Sequence, residues 1–444
     1  MRLLVIRTSV LALLLSALPA CGDDTTGGAG GSGGAGNDFL DDDFVLQDNA
    51  RIVDADLRDD ALISANDETG EYVFDSSALA AAGIDIEAGN TLLIADQFLV
   101  TVASATESAG ELLVMGTPAA LPDLVQDGFI QWDLGLGSET LPAPVLLIGD
   151  QVVYSKGGAG LGDSIDYSTE VDGFSITVKI TPNSSARQLE VQIQIDRSAG
   201  GGTVDFRAVA TGTIRLFRHA LDLDIQDSTT QNWAFGARNL EFELEVEAAG
   251  ANAGTVSTTL VLPGPFQLRF PIPTSLPLGL NLALSINLLA EVDLPALASA
   301  STQFDATFRY QGSAGFQQTG TAGFTTEGNN GGATVDVSDP NTAATSGPVG
   351  FTVAFSAPRI ALNALADQVT ARLDNIYSMA GQLRGSPIGG LCIESGAQHS
   401  LRGTVTAGFF GISLAEFSHE FYQDELFKDT GTCEDSALNF PVPQ

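Results

Sequence analysis

The chain is short of the side chains on which most familiar chemistry rests. Its 444 residues hold three cysteines, three histidines and 19 basic residues against 55 acidic ones, a formal charge of −36. Lysine occurs only at Lys156, Lys179 and Lys428. So little positive charge argues against a nucleic-acid partner, because affinity for phosphate backbones comes from Lys and Arg, and an acidic envelope repels anionic membrane surfaces. His219, His399 and His419 stand at no metal-ligand spacing, and no Cys-x-x-Cys pair occurs, which removes the usual zinc sites. "SHEFYQ" at 418–423 opens like a zinc-protease helix but carries Gln423 where the second histidine belongs. Beyond residue 38 there is no Gly-x-Ser-x-Gly elbow. "GGAGLGD" at 157–163 lacks the strand-then-helix setting and the lysine of a phosphate loop.

A membrane-spanning helix is missing too. Residues 258–298 carry only Arg269, Glu291 and Asp293 as charges, yet six prolines (263, 265, 271, 273, 277 and 295) forbid a long helix there. The proline-free part, Leu278 to Leu289, reads as a strand buried on both faces. Two readings of this stretch stand side by side. One is plain core. The other is the wall of a cavity for an apolar ligand, with Phe266, Leu268, Phe270, Leu282, Leu284 and Ile286 as lining.

What the N-terminus does have is an address. Arg2 and Arg7 precede a short apolar segment, Val10 to Leu15, and then small residues, the order of a secretory signal. Leu18-Pro19-Ala20-Cys21 resembles the lipobox of bacterial lipoprotein signal peptides, with Pro19 departing from the usual Ala or Ser. The resemblance implies cleavage after residue 20 and acylation of Cys21, and three acyl chains hold a protein firmly at a membrane. Gly22 in place of Asp after the cysteine implies the outer membrane of the bacterial envelope. Residues 21–38 then form a tether: eight glycines between Gly22 and Gly36 leave too little apolar surface to fold, and 15 such residues reach ~20 Å.

The body reads as mainly β. "LEVQIQI" at 189–195 and "LEFELEVEA" at 240–248 alternate strictly, so Leu240, Phe242, Leu244 and Val246 take one face and Glu241, Glu243, Glu245 and Glu247 the other. Gly70, Gly89-Asn90 and Gly110 mark turns. Residues 39–140 are expected to form a small β-rich domain. Residues 141–444 are expected to form a larger antiparallel β-sandwich or curved sheet, with one helix near 362–378, where Leu362, Leu365, Ala366, Val369, Leu373, Ile376 and Tyr377 fall at helical spacing.

Beyond Cys21, two cysteines remain. Cys392 and Cys433 have one pairing open to them, and an exported compartment permits it. Asp54, Asp56, Asp59 and Asp60 supply oxygen ligands suited to calcium, without the spacing of a calcium loop, and a solvated acidic face is the competing reading. No other cofactor is implied. Three functions compete: a lipid-anchored envelope protein whose β body binds a protein or glycan or serves a structural role, a carrier of a lipid or other apolar ligand, and a hydrolase working through two carboxylates.

Overall fold

The computed structural model describes residues 38–136, 145–148, 151–155, 164–171, 173–183, 188–199, 203–215, 217–251, 256–261, 266–294, 301–320, 323–339, 341–343, 349–365, 368–385, 391–411, 417–431, 438 and 440. The signal, Cys21 and the tether as far as Asn37 lie outside them, as does Cys433. The body is mainly β, built from curved antiparallel sheets that form half-barrels.

An eleven-stranded sheet is organised around one long strand, Thr229–Ala251. Its backbone shifts register near Asn239, which takes φ +57°. One edge of this strand therefore serves two limbs. Its first half pairs with Arg218–Gln226, and its second half pairs with Thr203–Arg215. Its other edge pairs along its length with Ser301–Thr319. The alternation expected at 240–247 is present: Leu240, Phe242, Leu244 and Val246 are buried. Glu241 and Glu243 sit at the surface beside Arg215 and Arg309.

A nine-stranded sheet packs against this one, face to face. Its central strands are Asn281–Leu294, Val349–Ala364, Gln368–Gly385 and Leu391–Val405, with Phe417–Gly431 at one edge. Phe206 and Phe304 from the first sheet meet Phe351 at ring separations of 5.8 and 5.4 Å, and Phe308 meets Tyr377 at 5.1 Å. These contacts join both sheets into one apolar core.

The helix expected near 362–378 does not form. Val349–Ala364 and Gln368–Gly385 are adjacent antiparallel strands. The reason is geometric. Leu373 and Tyr377 stand four residues apart, an even interval that keeps them on one face of a strand as readily as on one face of a helix. Because residues 373–381 are buried on both faces, no polar alternation breaks the tie. Gly381, within the strand Gln368–Gly385, lies under the Phe304 ring, where a Cβ would stand 2.2 Å from the nearest ring carbon.

A six-stranded sheet with its own core of Val53, Tyr72, Phe74, Leu92, Ile94 and Val114 occupies residues 50–118. The strands that bracket it in sequence, Phe39–Leu46 and Val125–Gly135, pair with each other and join the eleven-stranded sheet. Asp54 caps the short helix Ala55–Ala61 by accepting a hydrogen bond from the Leu57 amide. Gly70, Gly89 and Gly110 all take positive φ at the expected turns, and a Cβ on Gly70 would collide with the Gly116 carbonyl.

Candidate functional site

Each strand of the nine-stranded sheet has a second face, turned away from the shared core. The register fixes what lies there. Arg359 pairs with Asp374, Asp374 with Arg402, and Arg402 with Glu420, a row of alternating charge across four strands. One row along, Arg372 pairs with Thr404, and Thr404 with Ser418. These residues, with Ile376 and His419, line a groove of about 610 Å³, within the range of small-molecule sites.

Asp374 anchors the row. Its carboxylate is 7% exposed and accepts from Arg359 Nε through Oδ1, while Arg372 Nε stands 2.7 Å from Oδ2. Arg402 Nε donates to Glu420 at 3.0 Å. Among the described residues that line the groove, three guanidiniums therefore face two carboxylates, a surplus of positive charge in a chain of net charge −36. Beneath the groove the same face continues polar: Ser356 and Ser400 flank Ile376, and Ser378 follows on the next row, all buried.

The opposite face of the same strands is quite different. His399 is fully buried, stacked on Tyr377 at 4.6 Å and hydrogen-bonded through Nε2 to Asn375 Oδ1 at 2.8 Å. Burial lowers its pKa to about 3, so the ring is neutral. Burial also raises the Tyr310 hydroxyl to about 12 and pushes Tyr377 higher still. A second buried imidazole, His219, accepts from Trp132 Nε1 at Nδ1 over 3.0 Å, and desolvation, opposed by Asp133, lowers its pKa to about 4. These groups are sealed in the core and serve packing.

The residues singled out in sequence are placed elsewhere. Phe266, Leu268, Phe270, Leu282, Leu284 and Ile286 are all buried in the core shared by the sheets. The space beside Phe266, Leu268, Leu284 and Ile286 is about 20 Å³, room for about one water and far from the volume of an acyl chain. Asp54 is occupied as a helix cap, and Asp59 holds Arg58 at 2.8 Å. Among the described residues no three His, Cys, Asp or Glu side chains stand together as a metal site. Cys392 is buried on Leu391–Val405, opposite Gly431, while its expected partner Cys433 lies outside the described residues. No helix among the described residues is long and apolar enough to cross a membrane.

Arg359, Arg372 and Arg402 were not legible as a group in the sequence. Their signal is scarcity: with three lysines and few arginines in all, an arginine inside an apolar strand such as "FSAPRIALNA" stands out. His419 and Glu420, part of the failed zinc-protease pattern, lie on a strand and line the groove. Comparison with known protein families, curated proteins and solved structures found no match.

Proposed function

We propose that this protein is a binding module of the bacterial envelope, held at the outer membrane through acylated Cys21 and engaging its ligand in the groove across the nine-stranded sheet. The observation that carries the reading is the groove itself: about 610 Å³ of polar, positively charged space on a sheet face that faces away from the core. Arg359 and Arg402 each pair with a carboxylate across the sheet, but Arg372 adds only a second, more exposed contact to Asp374, and a contact of that kind contributes little to folding. The groove's two carboxylates are each engaged by guanidiniums, an arrangement that favours holding a ligand over the carboxyl pair a glycosidase needs. The lipobox at 18–21 and the glycine tether support the anchor.

Two measurements test this. Metabolic labelling with a palmitate analogue should mark the full chain, and Cys21→Ala should lose both the label and membrane fractionation. Solvent extraction of the purified full chain followed by mass spectrometry should release a small molecule that Ser418→Trp, a substitution at an exposed edge position filling the groove, no longer retains. A chain that carries nothing, and whose Ser418→Trp form binds envelope extracts equally, overturns the binding role.

A further inference from the structure

Resting on that reading, we propose that the groove recognises an oxyanion, a phosphate or carboxylate group on a small ligand, and that Arg372 is the residue that takes it. The charge row explains the choice. Arg359, Asp374, Arg402 and Glu420 alternate in sign and satisfy one another across neighbouring strands. Arg372 falls outside the alternation. Among the described residues it has no carboxylate of its own: its Nε stands 2.7 Å from Asp374, which Arg359 also holds. A guanidinium carries five N–H donors; Arg372 Nε, although close to Asp374, is buried without a hydrogen-bond partner, and no hydrogen bond ties its terminal nitrogens to another described residue.

Its surroundings suit an anion. Arg372 is 35% exposed toward the groove. Beside it in register, on the adjacent strand, stands the hydroxyl of Thr404, with that of Ser418 on the strand beyond, and diagonally across from it is Arg402. Cross-strand neighbours lie ~5 Å apart and diagonal ones ~7–8 Å, so an oxyanion seated over Thr404 has Ser418 on one side and the long Arg372 side chain on the other, with the charge of Arg402 nearby. Guanidinium is the group best matched to such a ligand, through paired N–H bonds to two oxygens. All three cations among the described lining residues are arginine. The acidic remainder of the chain repels anions in general, which makes this patch selective by position. The Asp374 carboxylate, 2.7 Å from Arg372 Nε, attracts the base of the guanidinium and limits its range, so less entropy is lost on binding.

The experiment is calorimetric titration of the full chain in detergent, at fixed ionic strength, with inorganic phosphate and separately with glycerol 3-phosphate. Both should bind saturably. Tighter binding of glycerol 3-phosphate identifies a lipid headgroup as the source of the oxyanion, and equal or tighter binding of phosphate identifies a free anion. Arg372→Gln should weaken both about tenfold or more, Arg372→Lys less, and Glu420→Gln should tighten both by removing a like charge. Thr404→Val with Ser418→Ala, which leaves the ion pairs intact, should weaken both several-fold and covers the case in which Arg372→Gln fails to fold. The proposal is overturned by the absence of saturable binding, or by a folded Arg372→Gln protein that binds as the parent does. A neutral molecule released from the parent but not from Ser418→Trp, with no phosphate binding, would remove the oxyanion and leave the binding role standing.

Discussion

Acid should destabilise this protein steeply, for a reason lodged in its core. His219 and His399 are each 0% exposed. Burial sets their folded pKa values at about 4 and about 3, against ~6.5 in an unfolded chain. Because the folded values are the lower ones, the unfolded chain takes up these protons first as pH falls. The stability the two rings confer is therefore complete above pH ~6.5 and is lost on acidification toward about 4 for His219 and about 3 for His399. At about 1.4 kcal/mol per pH unit, each ring costs ~2 kcal/mol between pH 7.5 and 5.0, ~4 kcal/mol together. That is a large part of the ~5–15 kcal/mol that holds a folded chain. Urea unfolding of the parent and of a His219→Gln/His399→Gln double variant at both pH values isolates the effect from the carboxylates. Glutamine can accept from Trp132 Nε1 at one site and donate to Asn375 Oδ1 at the other, the bonds the imidazoles now make. The parent should lose ~4 kcal/mol more than the variant over that interval. Equal losses, within ~1 kcal/mol, would refute the assignment of neutral buried rings.

Three further outcomes follow from named contacts. Gly403→Ala places a Cβ 2.2 Å from the Phe316 ring on the core side of the groove wall, and urea unfolding should show a loss of ~1–3 kcal/mol. Asp374→Asn strips the shared partner from Arg359 and Arg372, and the same assay should register ~2–4 kcal/mol, the half-exposed Arg372 contributing least. Cys392 and Cys433 are proposed to pair, since Cys392 sits in register with Gly431, two residues before Cys433. The intact mass should rise by two hydrogens on reduction, and Cys392→Ser should cost ~3 kcal/mol; a mass unchanged on reduction would rule the bridge out.

Where a strand has one wet face, its sequence declares it, and the run from Leu240 to Glu247 is read correctly for that reason: the buried and exposed positions alternate as the residue types do. Where both faces are covered, the same code goes silent. Asn281–Leu294 is legible only because prolines on either side exclude the alternative, whereas Gln368–Gly385 has no such exclusion and its four-residue apolar steps fit a helix equally well. The groove escapes notice for the same physical reason. It lies on the polar side of those doubly covered strands, so its arginines interrupt apolar runs singly: Arg359, Arg372 and Arg402 are spaced 13 and 30 residues apart. Proximity in a sheet is a matter of register, and register here depends on bulges at Ser356/Arg359 and at Leu401/Arg402, which no local pattern of residues announces. Both bulges adjoin groove arginines. A slip of one residue at either would turn Arg359 or Arg402 toward the aromatic core, where an unpaired guanidinium is prohibitively costly. The charge row thus favours one register of four strands, and among the described residues it leaves Arg372 as the groove cation without a carboxylate of its own.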